Sequence, residues 1–164
     1  MMEILKRVNK KIEENKAEMI SSLSNLLSIP SVGSDPEPGM PFGANVHKAY
    51  EYMLQAAKKE GFVTFNADNY GGHIDFEGKG TGIMGIVGHL DVVPEGDGWD
   101  HDPYGGEVFD GFMYGRGTQD NKGPVIASFY AMKALKECGY EPKRTIRLII
   151  GLDEETNWHG MRYY

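Results

Sequence analysis

Cysteine is nearly absent: the 164 residues contain one, Cys138. An internal disulfide is therefore excluded. Cys138 falls near the end of an expected helix, which makes it a buried or half-buried thiol rather than a nucleophile. An excess of positive charge is missing too. Seventeen Lys and Arg against 24 Asp and Glu leave a net charge of −7, the wrong sign for nucleic acid or an anionic membrane surface. No apolar run approaches membrane-spanning length. Residues 2–16 are dense in Lys and Glu where a secretion signal needs an unbroken apolar stretch. The expectation is a cytoplasmic protein with no nucleic-acid and no membrane partner.

What remains is ordinary for a globular domain, at 40% hydrophobic and 25% charged residues, with length enough for one core. Glycine is plentiful at 22 residues, so tight turns and close backbone approaches are expected. Ile4, Leu5, Val8 and Ile12, then Ile20, Leu23, Leu26 and Leu27, share a helical face over 2–28. Residues 29–43 hold four Pro and three Gly and read as an irregular connection. A second helix covers 45–60, stopped by Gly61. Strands are expected over 62–66, 71–77 and 83–88. Asp110-Gly111 marks a hairpin turn. Pro124 opens a third helix that ends at Gly139. Residues 145–151 read as a strand apolar almost throughout, as when both faces are covered. The order predicts an α/β fold, a mixed β-sheet sandwiched by helices.

Two apolar strands end in chemistry. His89 and Asp91 close the run 83–88, and Asp153-Glu154-Glu155 closes 146–150. Asp120 lies between them in sequence, ahead of a helix. Sites in open α/β sheets form beyond the carboxyl ends of strands, so three segments can meet. A His with carboxylates suits a divalent metal, and a spare Glu beside a ligand suits metal-assisted hydrolysis. His89 and Asp91 lie two apart on extended chain and lean the same way, so Asp91 can accept from the ring nitrogen that does not bind metal. Of Glu154 and Glu155, one would ligate and the other take a proton from water. Each element also has a plain reading: a surface His and Asp, a helix-capping Asp120, a solvated acidic turn.

Other patterns fail on context. The spaced glycines 80–85 precede a strand rather than follow one. Gly78-Lys79-Gly80 lacks the rest of a phosphate loop. His73-Ile74-Asp75 repeats the His-x-Asp spacing within a strand and reads as a solvent-facing edge. His47, His101 and His159 read as surface residues, with His159 near enough to the acidic pair to line a site.

The stretches 88–94 (Gly-His-Leu-Asp-Val-Val-Pro), 115–124 (Gly-Arg-Gly-Thr-Gln-Asp-Asn-Lys-Gly-Pro) and 151–155 (Gly-Leu-Asp-Glu-Glu) together resemble the dinuclear-zinc exopeptidase and deacylase family. The likeness runs from about Leu23 to the end. Residues 41–43, 68–73, 154–158 and 161–164 look most like bacterial Xaa-His (β-Ala-His) type dipeptidases. The resemblance implies a zinc-exopeptidase-like catalytic domain and two divalent metal ions, zinc with manganese or cobalt as alternatives. It implies that His89 binds one ion, Asp120 bridges both and Glu155 binds the other. Glu154 would be the general base and Asp91 would orient His89. A cis peptide between Asp120 and Asn121 is implied as well. Substrates would be dipeptides with a free N-terminus, or N-acyl amino acids if the chain is a deacylase.

The family also uses an Asp just past position 164, a His near the end of a longer chain, and an inserted lid domain. None is in this sequence. Residues 1–164 are therefore expected to be the N-terminal part of the catalytic domain, with the lid and the C-terminal part absent. Such a chain alone should be inactive, bind metal weakly, and self-associate along an open sheet edge.

Overall fold

The computed structural model describes residues 2–164. Helices α1 (Met2–Glu14) and α2 (Lys16–Leu27) replace the single helix expected over 2–28. Asn15 sits between them, and its amide donates to Glu137 Oε2 at 2.8 Å. The interruption is slight: the Asn15 N–H still donates to the Lys11 carbonyl and the Met19 N–H to the Asn15 carbonyl, both at 2.9 Å. Val8 of α1 buries against Ala134 and Cys138, whereas Leu26 of α2 belongs to the main core.

After the irregular connection, α3 (Ala44–Lys59) buries Val46, Tyr50, Met53, Leu54 and Ala57, the stripe its 3.6-residue period predicts. Gly61 terminates it at φ +70°. Strands β1 (Val63–Asn66), β2 (Gly71–Phe76) and β3 (Ile83–His89) follow. The hairpin β4 (Glu107–Phe109) and β5 (Phe112–Tyr114) turns through Asp110 and Gly111, both at positive φ, as the Asp-Gly signal requires. Helix α4 (Lys122–Glu137) leads to β6 (Thr145–Gly151) and the short α5 (His159–Tyr163). Cys138 is buried at the end of α4. No helix among the described residues is long and apolar enough to cross a membrane.

The main sheet is mixed, in the order β1-β2-β6-β3. Pairing is antiparallel except between β3 and β6. One face, with Ile74, Ile146, Leu148 and Ile150, packs on Tyr50, Met53, Val125, Ile126 and Phe129 of α3 and α4. The other face is not covered to the same extent. Burial along β6 alternates, leaving Thr145, Arg147 and Ile149 half-buried, so the expectation that both faces of this strand are covered does not hold. Tyr164, just past α5, reaches that face at His73 Nδ1, 2.7 Å away.

His73-Ile74-Asp75 is not a solvent-facing edge. Strand β2 is interior, and His73 and Asp75 are both buried. Asp75 lies opposite Arg147 in register, and the guanidinium donates twice to its carboxylate, at 2.9 and 2.8 Å. A charge pair of this geometry satisfies a carboxylate that a strand interior would otherwise reject. Burial lowers the His73 pKa, against the opposing charge of Asp75.

The parallel register sets up the site. His89 pairs with Gly151, so β3 and β6 stop side by side. The chain beyond each strand must then emerge at the same edge of the sheet.

Candidate metal centre

At that edge the donor atoms of His89, Asp120 and Glu155 lie within 4.8 Å of one another. They come from the end of β3, the loop ahead of α4, and the turn after β6. His89 is buried, Glu155 half-buried, and the Asp120 side chain 73% exposed. His89 Nε2 stands 2.9 Å from Asp120 Oδ1 and 3.9 Å from Glu154 Oε2. The peptide between Asp120 and Asn121 is cis.

Asp91 is 2% exposed and works in two directions. His89 Nδ1 lies 3.0 Å from the Asp91 backbone carbonyl and 3.3 Å from its Oδ1. The carbonyl takes the aligned hydrogen bond, and Oδ1 has no hydrogen-bond partner among the described residues. Asp91 therefore orients the ring through its backbone and supplies the neighbouring negative charge through its side chain. The second carboxylate oxygen, Oδ2, accepts the backbone N–H of Glu155 at 2.9 Å. With Nδ1 turned to Asp91, Nε2 is the nitrogen that faces the acidic cluster, the arrangement a metal-binding His needs.

Burial disfavours the His89 imidazolium. The Asp91 hydrogen bond and charge, with the Asp120 hydrogen bond, outweigh it and push the pKa up to about 9. The Glu155 pKa is raised, first by burial and then by the negative charge of Asp120. Both shifts describe an anion-rich cavity that either holds protons or exchanges them for a cation. The donor set of one imidazole and several carboxylates fits a borderline or hard divalent ion.

Asp153 does not join the cluster. It is buried, its Oδ2 and Oδ1 accept the His159 and Gly160 N–H groups at 2.6 and 3.0 Å, and its carbonyl accepts the Trp158 N–H. The Asp-Glu-Glu segment is thus an internally braced turn, not a solvated one. Ser31 braces the other segment. Its Oγ donates to the Leu90 carbonyl at 2.6 Å and its carbonyl accepts Val92 N–H at 3.0 Å. Lys122 is fully buried, with Nζ donating to the Leu26 and Ile29 carbonyls at 3.1 and 2.6 Å. That tie fastens the Asp120 loop to the end of α2, and burial lowers the Lys122 pKa to about 8. Ser31 carried no sequence signal beyond residue type, and Asp153, inside the 151–155 stretch, had none that set its bracing role apart from its acidic neighbours. Lys122 sits inside the 115–124 stretch, but nothing local announces a buried amine.

His159 is exposed, as expected, while His47 and His101 are half-buried. His101 stacks on Tyr114 with ring centroids 4.1 Å apart, away from the cluster.

The profile of peptidase family M20/M25/M40 matches residues 85–164, the span that carries His89, Asp91, Asp120, Glu154 and Glu155. Two curated relatives bear the name "Putative dipeptidase". They are YtjP of Bacillus subtilis (strain 168), 41% identical over 91% of this chain and 32% of its own length, and SH1171 of Staphylococcus haemolyticus (strain JCSC1435), 42% identical over 94% of this chain and 33% of its own. The chain belongs to peptidase family M20/M25/M40. Human carnosine dipeptidase 1 superposes with a TM-score of 0.83 at 26% identity, over 96% of this M20/M25/M40 chain and 36% of that one. The chain thus spans about a third of the length of the relatives it matches.

Proposed function

We propose that residues 1–164 form the N-terminal part of a metal-dependent dipeptidase, the lid and the rest of the catalytic domain lying elsewhere in the intact protein. The observation that carries this reading is the convergence of His89, Asp120 and Glu155 donor atoms within 4.8 Å, with Glu154 beside them. Two divalent ions, zinc in the first instance, would be held by His89 on one side and Glu155 on the other, with Asp120 shared. Bound there, divalent ions supply acidified water and a polarised scissile carbonyl. The protein's own groups do the rest. Asp91 fixes the His89 ring and the Glu155 backbone. Glu154, whose Oε2 approaches His89 Nε2 without a hydrogen bond, takes a proton from the attacking water and returns it to the leaving amine. The substrates in this reading are dipeptides with a free N-terminus.

For the 164 residues alone, the reading is weak metal binding without turnover. Three donors shared between two ions leave each under-coordinated, and the most exposed donor is the shared one, Asp120. Self-association is part of the same proposal. Strand β3 has a neighbour on one side only, and Ile83, Met84 and Val87 on it are exposed, an edge that invites pairing. The cytoplasmic location belongs to the proposal too, and cell fractionation tests it.

The direct test assays the full-length gene product with zinc, wild type beside Glu154→Gln, on dipeptides and on N-acetyl amino acids. Dipeptide cleavage in the wild type, reduced about 10²–10⁴-fold in the variant, supports the proposal. Cleavage of N-acetyl amino acids alone would replace it with a deacylase.

A further inference from the structure

Trp158 is held in a conformation a bulky residue rarely adopts. Its φ is +56° and ψ +26°, the left-handed region that glycine occupies at no cost and other residues enter under strain. The turn around it over-determines that conformation. Asp153 accepts the Trp158 N–H through its carbonyl and the next two N–H groups through its carboxylate. At Gly160 a Cβ would meet the Tyr70 carbonyl oxygen at 2.1 Å, so the chain beyond Trp158 is clamped as well.

The clamped turn presents the indole, 41% exposed, to a pocket of about 340 Å³. His89, Asp120 and Glu154 form the polar side of that pocket. Val87, two residues before His89 on the same side of β3 and 57% exposed, joins Trp158 as the large apolar lining. Gly88 and Gly151 contribute only backbone there. A pocket that is carboxylate and imidazole on one side and indole and isopropyl on the other is suited to a substrate with a reacting polar group and an adjoining apolar side chain.

We infer that Trp158, with Val87, forms a subsite for a large apolar or aromatic side chain on the residue that supplies the scissile carbonyl. This rests on the dipeptidase reading above and adds a side-chain preference to it. The carbonyl must reach the His89, Asp120 and Glu155 cluster, and the side chain on the adjoining α-carbon then enters the space between Trp158 and Val87. Aromatic side chains gain an offset or edge-to-face contact with the indole, and aliphatic ones gain buried area.

The test compares wild type, Trp158→Gly and Trp158→Phe in the zinc-loaded full-length protein on Gly-Gly, Leu-Gly and Phe-Gly. Glycine suits the left-handed backbone, so the W158G turn keeps its shape, which zinc content and circular dichroism verify. The expected result is a loss of kcat/KM on the order of tenfold for Leu-Gly and Phe-Gly in W158G. Gly-Gly hydrolysis is expected to be unchanged, and W158F to retain most activity on all three. As a readout independent of turnover, tryptophan emission of the E154Q protein should shift to shorter wavelength with Phe-Gly and not with Gly-Gly, and the shift should vanish in W158F/E154Q. Equal loss on all three substrates, no loss on any, or no emission change with Phe-Gly overturns the subsite while leaving the dipeptidase reading intact. A wild type that cleaves none of the three overturns the dipeptidase reading, and the subsite with it.

Discussion

The backbone N–H of Glu155 donates to Asp91 Oδ2 at 2.9 Å, while the same Asp91 holds His89 from the other side. One buried residue, through its backbone carbonyl on one side and its carboxylate on the other, therefore sets the spacing between two donors that lie 66 positions apart in sequence. Asp91→Asn can still accept from the Glu155 N–H but loses the charge beside His89. Zinc affinity is expected to fall about 10–100-fold, read by calorimetric titration. An unchanged isotherm would deny Asp91 this role.

The metal-free His89 imidazole should titrate near pH 9, up from its ordinary 6.5. A folded-state pKa above the unfolded one stabilises at low pH. His89 therefore contributes stability that is fully present below about pH 6.5 and lost as pH rises through about 9. Denaturant unfolding of wild type against His89→Gln at pH 6 and pH 9.5 should show the difference shrinking at the higher pH. Imidazole NMR should place the titration directly, and Asp91→Asn should move it down. Because metal binding needs the neutral ring, zinc affinity should rise across the same window.

Asp153 should matter for stability first and for chemistry second. Asp153→Ala removes the acceptor of two N–H groups that open α5 and is expected to cost roughly 2–4 kcal/mol, measured by urea unfolding. Asp153→Asn, which keeps one oxygen acceptor, should cost less. Equal stability of Asp153→Ala and wild type would mean the turn is braced by something else.

At Gly88 a Cβ would lie 2.6 Å from Val125 Cγ2 and 2.8 Å from Asn121 Oδ1. The end of β3 meets the start of α4 there with no room for a methyl group. Gly88→Ala is expected to destabilise by about 1–3 kcal/mol and to weaken zinc binding by displacing Asn121 and its neighbour Asp120. A stability loss with zinc binding intact would separate packing from the donor geometry.

Much of this was legible in the sequence because it depends on local pattern. The apolar run before His89, the Asp110-Gly111 turn and the Pro124 and Gly139 helix limits each act within a few residues. That the segments of His89, Asp120 and the Glu154-Glu155 pair could meet at one edge followed from strand ends and a helix start, while the choice of Glu155 as the ligand rested on the family resemblance. What stayed hidden depends on partners far away in sequence. His73 and Asp75 look like an exposed edge until Arg147, 72 positions from Asp75, is placed opposite by register. The interruption at Asn15 has no local signal, and the residue that marks it is tied to Glu137, 122 positions away. Asp153 resembles its acidic neighbours in sequence and differs from them only in what its oxygens touch.

Asp120 as a shared ligand is the centre of the proposed site. Its most direct test is a calorimetric zinc titration of the metal-stripped 164-residue chain beside Asp120→Ala. The predicted result is weak but measurable binding in the wild type that disappears in the variant, with both folded by circular dichroism. Identical isotherms for the two, or no binding in the wild type, would contradict it.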